Sequence, residues 1–240
     1  MTRKVCDRFR SSLYLMLSLL LSISLASCYP EFKNPITPPL ELKADPQILG
    51  TWVRMYKVDQ SEYKEQLSIF SRSNGWIDAV WIYDIDKKES TDGVSLLVLE
   101  GYSVSVNKQR FLCLRVRKRD FNWTGQKNPS WTDEEAGGLR FTKNWIIANY
   151  ETPSNGDLII KPFSTQRVEE LIEKGKLKGE VVKGKLFKEQ GLSLDKVTVT
   201  SSSDELVEVI SKEGAGAFIW QDANDTFRDM YILVFSRIKP

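Results

Sequence analysis

The chain contains no histidine at all. That absence excludes Ser-His-Asp and Cys-His catalytic sets and any histidine-bound zinc, leaving carboxylates, lysine and tyrosine for proton chemistry. Cysteine is scarce, with only Cys6, Cys28 and Cys113. No apolar run reaches the roughly 20 residues that a bilayer-spanning helix needs. Charge of one sign is not in excess either. Lys and Arg total 34 against 32 Asp and Glu, and the first 27 residues hold four of the basic residues but only Asp7 of the acidic ones. The remainder is nearly balanced, so nucleic acid is not an expected partner. No nucleophile–base pair is recognisable, and the chain is read as a non-enzyme without a cofactor.

What is present begins with three zones at the N-terminus. Arg3, Lys4, Arg8 and Arg10 make a basic start, Leu13–Ala26 is almost entirely Leu, Ile, Met and Ser, and small residues lead into Cys28. A basic segment, a short apolar segment and a small-residue cleavage site make a secretory signal. Residues 1–27 are therefore expected to be removed, with the cut between Ser27 and Cys28. The competing reading, an uncleaved membrane helix, is disfavoured by the length of the run and the small residues that end it.

Pro30, Pro35, Pro38 and Pro39 follow, and residues 28–44 are expected to form a semi-rigid tether. Residues 45–240 read as one β-rich domain. Residues 76–86 alternate, with Ile77, Ala79, Trp81, Tyr83 and Ile85 on one face and Asp78, Asp84 and Asp86 on the other. In residues 111–117, Leu112, Leu114 and Val116 oppose Arg115 and Arg117. Further strands are expected over 50–57, 66–71, 94–100, 139–150, 157–162, 180–187, 196–200, 217–221 and 228–237. Asn74-Gly75 and Asn155-Gly156 suit tight hairpin turns, because both residues tolerate positive φ, and residues 120–138 read as a surface loop. Two short amphipathic helices break the β pattern. One is capped by Ser164 or Thr165, carries Val168, Leu171 and Ile172, and stops at Gly175. The other opens with a Ser202–Glu205 capping box, carries Leu206, Val209 and Ile210, and stops at Gly214. The two strand–helix units allow an internal duplication, although two similar helices on one sheet account for them as well.

Three resemblances sharpen this reading. Leu25-Ala26-Ser27-Cys28 resembles the lipobox of bacterial lipoproteins. That resemblance implies an acylated Cys28, a membrane-lipid partner and an address in the bacterial cell envelope, with Tyr29 in the next position favouring the outer membrane. Asp45-Pro46-Gln47-Ile48-Leu49-Gly50-Thr51-Trp52 resembles the opening of a lipocalin, in which Gly-x-Trp enters the first strand of an antiparallel barrel. The likeness implies that Trp52 plugs the closed end and that Arg237, near the end of the last strand, lies across its ring. The Thr-Asp-Tyr motif of that superfamily is missing, and the helices interrupt the expected meander. Finally, the order of Gly-Thr-Trp, a meander, Gly156–Ile160, a helix and Gly175–Glu180 is similar to a group of uncharacterised bacterial envelope lipoproteins. The fold expected is mainly β: an antiparallel lipocalin-like barrel or half-barrel with two helices in the C-terminal half, a generic sandwich remaining open.

Two functions fit. One is a small apolar ligand held in the barrel by Trp81, Tyr83, Leu112 and Leu114. The other is an interaction protein acting through its outer surface, for which Trp123 and Trp131, placed in a loop, are candidates. Aromatic side chains also fill small barrels without any ligand. Asp84, Asp86 and Asp92, and the group Asp222, Asp225 and Asp229, lack EF-hand spacing and read as water-facing turn charges, so no metal site is expected.

Overall fold

Period-two alternation through the first half of the chain becomes, in the computed structural model, a closed barrel of eight antiparallel strands. Residues 29–58, 61–83, 95–116, 142–183, 195–219 and 232–238 are described. The export signal, the Ser27–Cys28 cleavage point, the 120–138 loop and both aspartate groups lie outside them.

A two-residue strand, β1 (Glu31–Phe32), precedes the meander. The barrel then runs through β2 (Gly50–Val58), β3 (Ser61–Ser71), β4 (Ile77–Tyr83), β5 (Ser95–Val106), β6 (Gln109–Val116), β7 (Ile146–Glu151) and β8 (Leu158–Pro162). The chain leaves the barrel for α1 (Thr165–Glu173), β9 (Gly179–Val182), β10 (Lys196–Val199), α2 (Ser203–Glu213) and one 3₁₀ turn (Ala215–Ala217). It returns as β11 (Leu233–Arg237), which pairs with β8 through Leu233–Phe235 and with β2 through Ser236 and Arg237. The helices therefore do not break the barrel: they belong to an excursion between its seventh and eighth strands. The two strand–helix units also differ in setting, since β8 is a barrel strand while β10 lies in a separate sheet ordered β1-β10-β9. Among the described residues no helix is long and apolar enough to cross a membrane.

Local chemistry explains the helix ends. The Ser164 hydroxyl accepts from the Arg167 N–H, and Gly175 beyond α1 takes φ 67°. The full capping box of Ser202 and Glu205 opens α2, and Gly214 with φ 74° ends it. Both expected Asn-Gly turns are present. At both Asn-Gly sites only the glycine has positive φ, and its N–H closes a four-residue turn to Arg72 or Pro153; the first is a three-residue loop with a bulge, the second the tip of a longer connection whose last strand pair is Glu151 with Ile159. The two-residue turn with both φ positive is instead Asn107-Lys108, at 49° and 67°. Gly75 has a further reason to be glycine, because a Cβ there would lie 1.9 Å from the Leu42 carbonyl oxygen.

Some strand expectations need correction. β5 extends to Val106 through Gly101, where a Cβ would meet the Cys113 carbonyl at 1.9 Å. Residues 217–219 are not a strand, because Phe218 follows the 3₁₀ turn and is fully buried. The largest correction concerns the tether. Residues 31–36 are not a free spacer: Glu31 and Phe32 pair in parallel with Thr198 and Val199, Phe32 also bridges Trp145, and Phe32 and Ile36 are buried. Two aromatic and aliphatic side chains with somewhere to be buried outweigh the proline spacing.

The described residues form two apolar cores. One fills the lumen: Trp52, Leu67, Ile69, Ile77, Leu99, Leu112, Tyr150, Leu158, Leu233 and Phe235 belong to it. The other lies between the outer wall of β5–β7 and the excursion, joining Tyr102, Phe111, Cys113 and Ile147 to Phe32, Phe163, Val168, Leu206 and Phe218. β6 and β7 are consequently buried on both faces.

Candidate functional site

The inward positions of β2 run Trp52, Arg54, Tyr56, and those of β3 run Ile69, Leu67, Glu65, Tyr63. Antiparallel register sets Arg54 opposite Glu65 and Tyr56 opposite Tyr63. A guanidinium and a carboxylate thus enter the lumen just beyond its apolar core. Their side chains are 8 % and 6 % exposed, and Arg54 Nη1 lies 3.5 Å from Glu65 Oε2. The Trp81 indole N–H from β4 donates to the same oxygen at 3.2 Å, and its ring meets Phe235 edge-on at 5.9 Å. Tyr56 also hydrogen-bonds Glu65. Its ring lies 4.4 Å from the Arg54 guanidinium and stacks on Tyr63 at 5.3 Å.

Two buried charges cost free energy unless each is paired and hydrogen-bonded. Here desolvation dominates and raises the Glu65 carboxyl above its ordinary range, while the Arg54 charge and the hydrogen bonds from Tyr56, Trp81 and Arg54 pull the other way. At 3.5 Å the ion pair is loose. The cluster can offer a charged donor and a charged acceptor to one polar group, with tyrosine and tryptophan faces around it.

The opposite end of the barrel is sealed. Trp52 is buried, its indole N–H donates to the Ile48 carbonyl at 2.8 Å, and the Arg237 guanidinium lies over its ring at 4.8 Å. Arg237 Nη2 donates to the carbonyls of Leu49 and Gln47 at 2.7 and 3.3 Å. Outside this plug is a shallow depression of about 190 Å³ lined by Gln47, Trp52, Thr152, Pro153, Gly156, Asp157 and Arg237. Nearby, Arg110 holds Asp45, Gln47 and Thr152, and the Tyr150 hydroxyl donates to Asp45, fixing the segment that enters β2.

Of the residues expected to line a ligand space, Trp81 joins the Arg54–Glu65 cluster and Leu114 is half-buried against the lumen core. Leu112 is fully buried within that core. Tyr83 ends β4, with its side chain outside the described residues. Trp123 and Trp131 are outside them as well. Sequence reading missed Arg54 and Glu65. Their signal was parity: Arg54 falls in phase with Trp52, and Glu65 with Leu67 and Ile69, so one-sided burial had to bring both charges inside.

Other reactive groups offer little. Burial pushes the Cys113 thiol up to about 12, beside the Tyr102 hydroxyl, so it holds its proton at neutral pH. Among the described residues no group of three or more Cys, Asp or Glu could hold a metal ion. Comparison with protein-family models, with curated proteins and with solved structures returns no match.

Proposed function

We propose that the chain is a lipid-anchored protein of the bacterial envelope whose barrel binds a small, mainly apolar ligand at the end of the lumen opposite Trp52. The observation that carries the binding reading is the Arg54–Glu65–Trp81 cluster. A buried ion pair is weak evidence for stability, since apolar residues of similar volume often serve as well or better. Its presence in a largely apolar lumen fits a recognition role. The lumen core restricts the ligand to the region beyond Trp52, Leu67 and Leu112, so its apolar part meets Trp81 and Leu114 while one polar group meets Arg54 and Glu65. The anchoring reading rests on the export signal and the Leu25–Cys28 sequence.

The test is native mass spectrometry of the full chain purified from its host envelope, comparing wild type with Arg54→Met/Glu65→Leu. The double change leaves no orphaned charge, so the fold should survive. Wild type should carry a non-covalent mass, released on denaturation, besides its covalent acyl groups. The double variant should bind that molecule roughly 10- to 100-fold more weakly, as expected for losing a charged hydrogen bond of about 1.5–3 kcal/mol. Equal retention by both proteins would remove the cluster from recognition, and a ligand-free wild type would remove the binding reading.

A second reading is supported by the outer face. Met55, Val234 and Ile238 are 52, 44 and 47 % exposed. The β2–β11 register, with Ser236 opposite Val53, sets Val234 level with Met55. A ligand-free barrel whose crosslinked partners disappear in Met55→Lys would favour this surface-acting role.

A further inference from the structure

We infer that residues 34–41 form a strap across the outer wall of the barrel that opens and recloses as a unit. The barrel stays closed and the excursion stays in place, so the strap controls access to the wall at Tyr102 and Cys113. The inference is independent of the ligand and anchor readings.

The strap is pinned at both ends. On one side Phe32 exchanges main-chain bonds with Trp145, and the Lys33 N–H donates to the Val199 carbonyl. On the other, Asp45 is held by Arg110 and Tyr150, and Ile48 is buried in the lumen core. Between these anchors the segment is held by side chains. Asn34 Nδ2 donates to the Ser201 carbonyl at 2.9 Å, the Ser203 hydroxyl to the Pro35 carbonyl at 2.6 Å, and the Tyr102 hydroxyl to the Ile36 carbonyl at 2.5 Å. Within the strap Ile36 is the one buried side chain, while residues 37–41 are exposed. Pro35, Pro38 and Pro39 offer no N–H to hold.

The wall beneath is set by register. Tyr102 of β5 lies opposite Cys113 of β6, and Ile147 of β7 lies on the other side of Cys113. The Tyr102 hydroxyl and the Cys113 thiol are both hydrogen-bonded to the Ile36 main chain, so withdrawing one isoleucine uncovers both. A segment with a single apolar anchor and few hydrogen bonds belongs at the low-stability end of local opening. The β2–β3 ladder, with its unbroken register from Gly50 to Val58, belongs at the other end. Because both ends stay pinned, the open strap is a short loop that recloses at small entropic cost.

Cys113 itself reports the opening. Burial pushes its thiol up to about 12, so the closed protein resists alkylation. A slow reagent then reads the open population, provided that reclosing outpaces the chemistry. The test is iodoacetamide labelling of the full chain, followed at Cys113 alone by peptide mass spectrometry. Three matched variants are compared with wild type: Ile36→Val in the strap, Ile69→Val in the lumen and Ile210→Val in α2, all at buried positions. Urea unfolding gives the global loss of each, against which its labelling rate is read. Ile36→Val should label roughly 2- to 10-fold faster than wild type, as expected for trimming one buried isoleucine. The other two should label at the wild-type rate. Equal acceleration in all three would mean that Cys113 is reached only by global unfolding, and acceleration in Ile210→Val to match Ile36→Val would place the opening in the excursion. An Ile36→Val rate equal to wild type, or a wild type that does not label, would show that the strap stays shut. Each of these results overturns the inference.

Discussion

The lumen and the outer-wall core share strands but are assembled differently. The lumen is built mainly by neighbours in a meander, with each strand pairing with the next from β2 to β8 and one late strand closing the ring. The outer-wall core joins residues far apart in sequence: Phe32, Phe111, Phe163 and Phe218 come from the N-terminal segment, β6, the start of the excursion and the position after its 3₁₀ turn. Phe163 sits among the other three, with ring centroids 5.9, 6.0 and 4.6 Å away. The outer-wall core holds the neutral, buried Tyr102 hydroxyl, which donates to the Ile36 carbonyl at 2.5 Å, whereas the lumen accommodates a charged pair. The difference teaches that a closed barrel can hold polar groups at one end because its wall already satisfies the backbone. The excursion, by contrast, depends on apolar burial to stay on that wall.

The sharpest way to break this comparison is Phe163→Ala. Truncating a buried phenylalanine costs about 3–5 kcal/mol, and here the loss should fall on the excursion first. Urea denaturation should show the full loss, and limited proteolysis should cut near residues 163–219 before the barrel. Simultaneous cleavage of both regions would show that they unfold as one unit.

A smaller effect is expected from Arg237→Ala at the plug. Loss of the ring contact and of two carbonyl caps should cost about 1–2 kcal/mol, with Arg237→Lys recovering only part because an ammonium cannot cover the ring and both carbonyls in one plane. Thermal unfolding checks this, and an unchanged midpoint would make the contact incidental.

The smallest effect concerns pH. A carboxyl whose folded-state pKa is raised stabilises the fold fully below its unfolded value, near 4.5, and that contribution is lost as pH rises through the folded value. The stability of wild type relative to Glu65→Gln should therefore decline as pH rises from about 4 toward 8. Urea midpoints across that range measure it. A relative stability that rises instead would mean that the Arg54 charge outweighs desolvation.

Much of the fold was legible in the chain. Alternation in Ile77–Tyr83, the capping box at Ser202, and glycines 175 and 214 acted locally, through pleat and cap geometry that a few neighbouring residues decide. The second core was half legible. Phe111 and Cys113 are apolar on the face of β6 opposite Leu112 and Leu114, but Arg115 on the same face pointed to water. In the fold, Arg115 lies over the Trp76 and Trp145 rings and bonds Glu100, a shelter made by residues distant in sequence. The candidate site was less legible, because Arg54 and Glu65 look like ordinary surface charges until Trp52 fixes which face turns inward.

By itself, then, the amino-acid sequence determined the β-rich class, the helix limits and the absence of histidine chemistry, because these depend on composition and on residues a few positions apart. Only the tertiary structure decided that β11 closes the ring, that Glu31 and Phe32 of the proline-rich segment pair into a sheet, and that two charges are enclosed together. Each of these depends on register and on burial between distant segments, where a small difference in apolar area outweighs local preference.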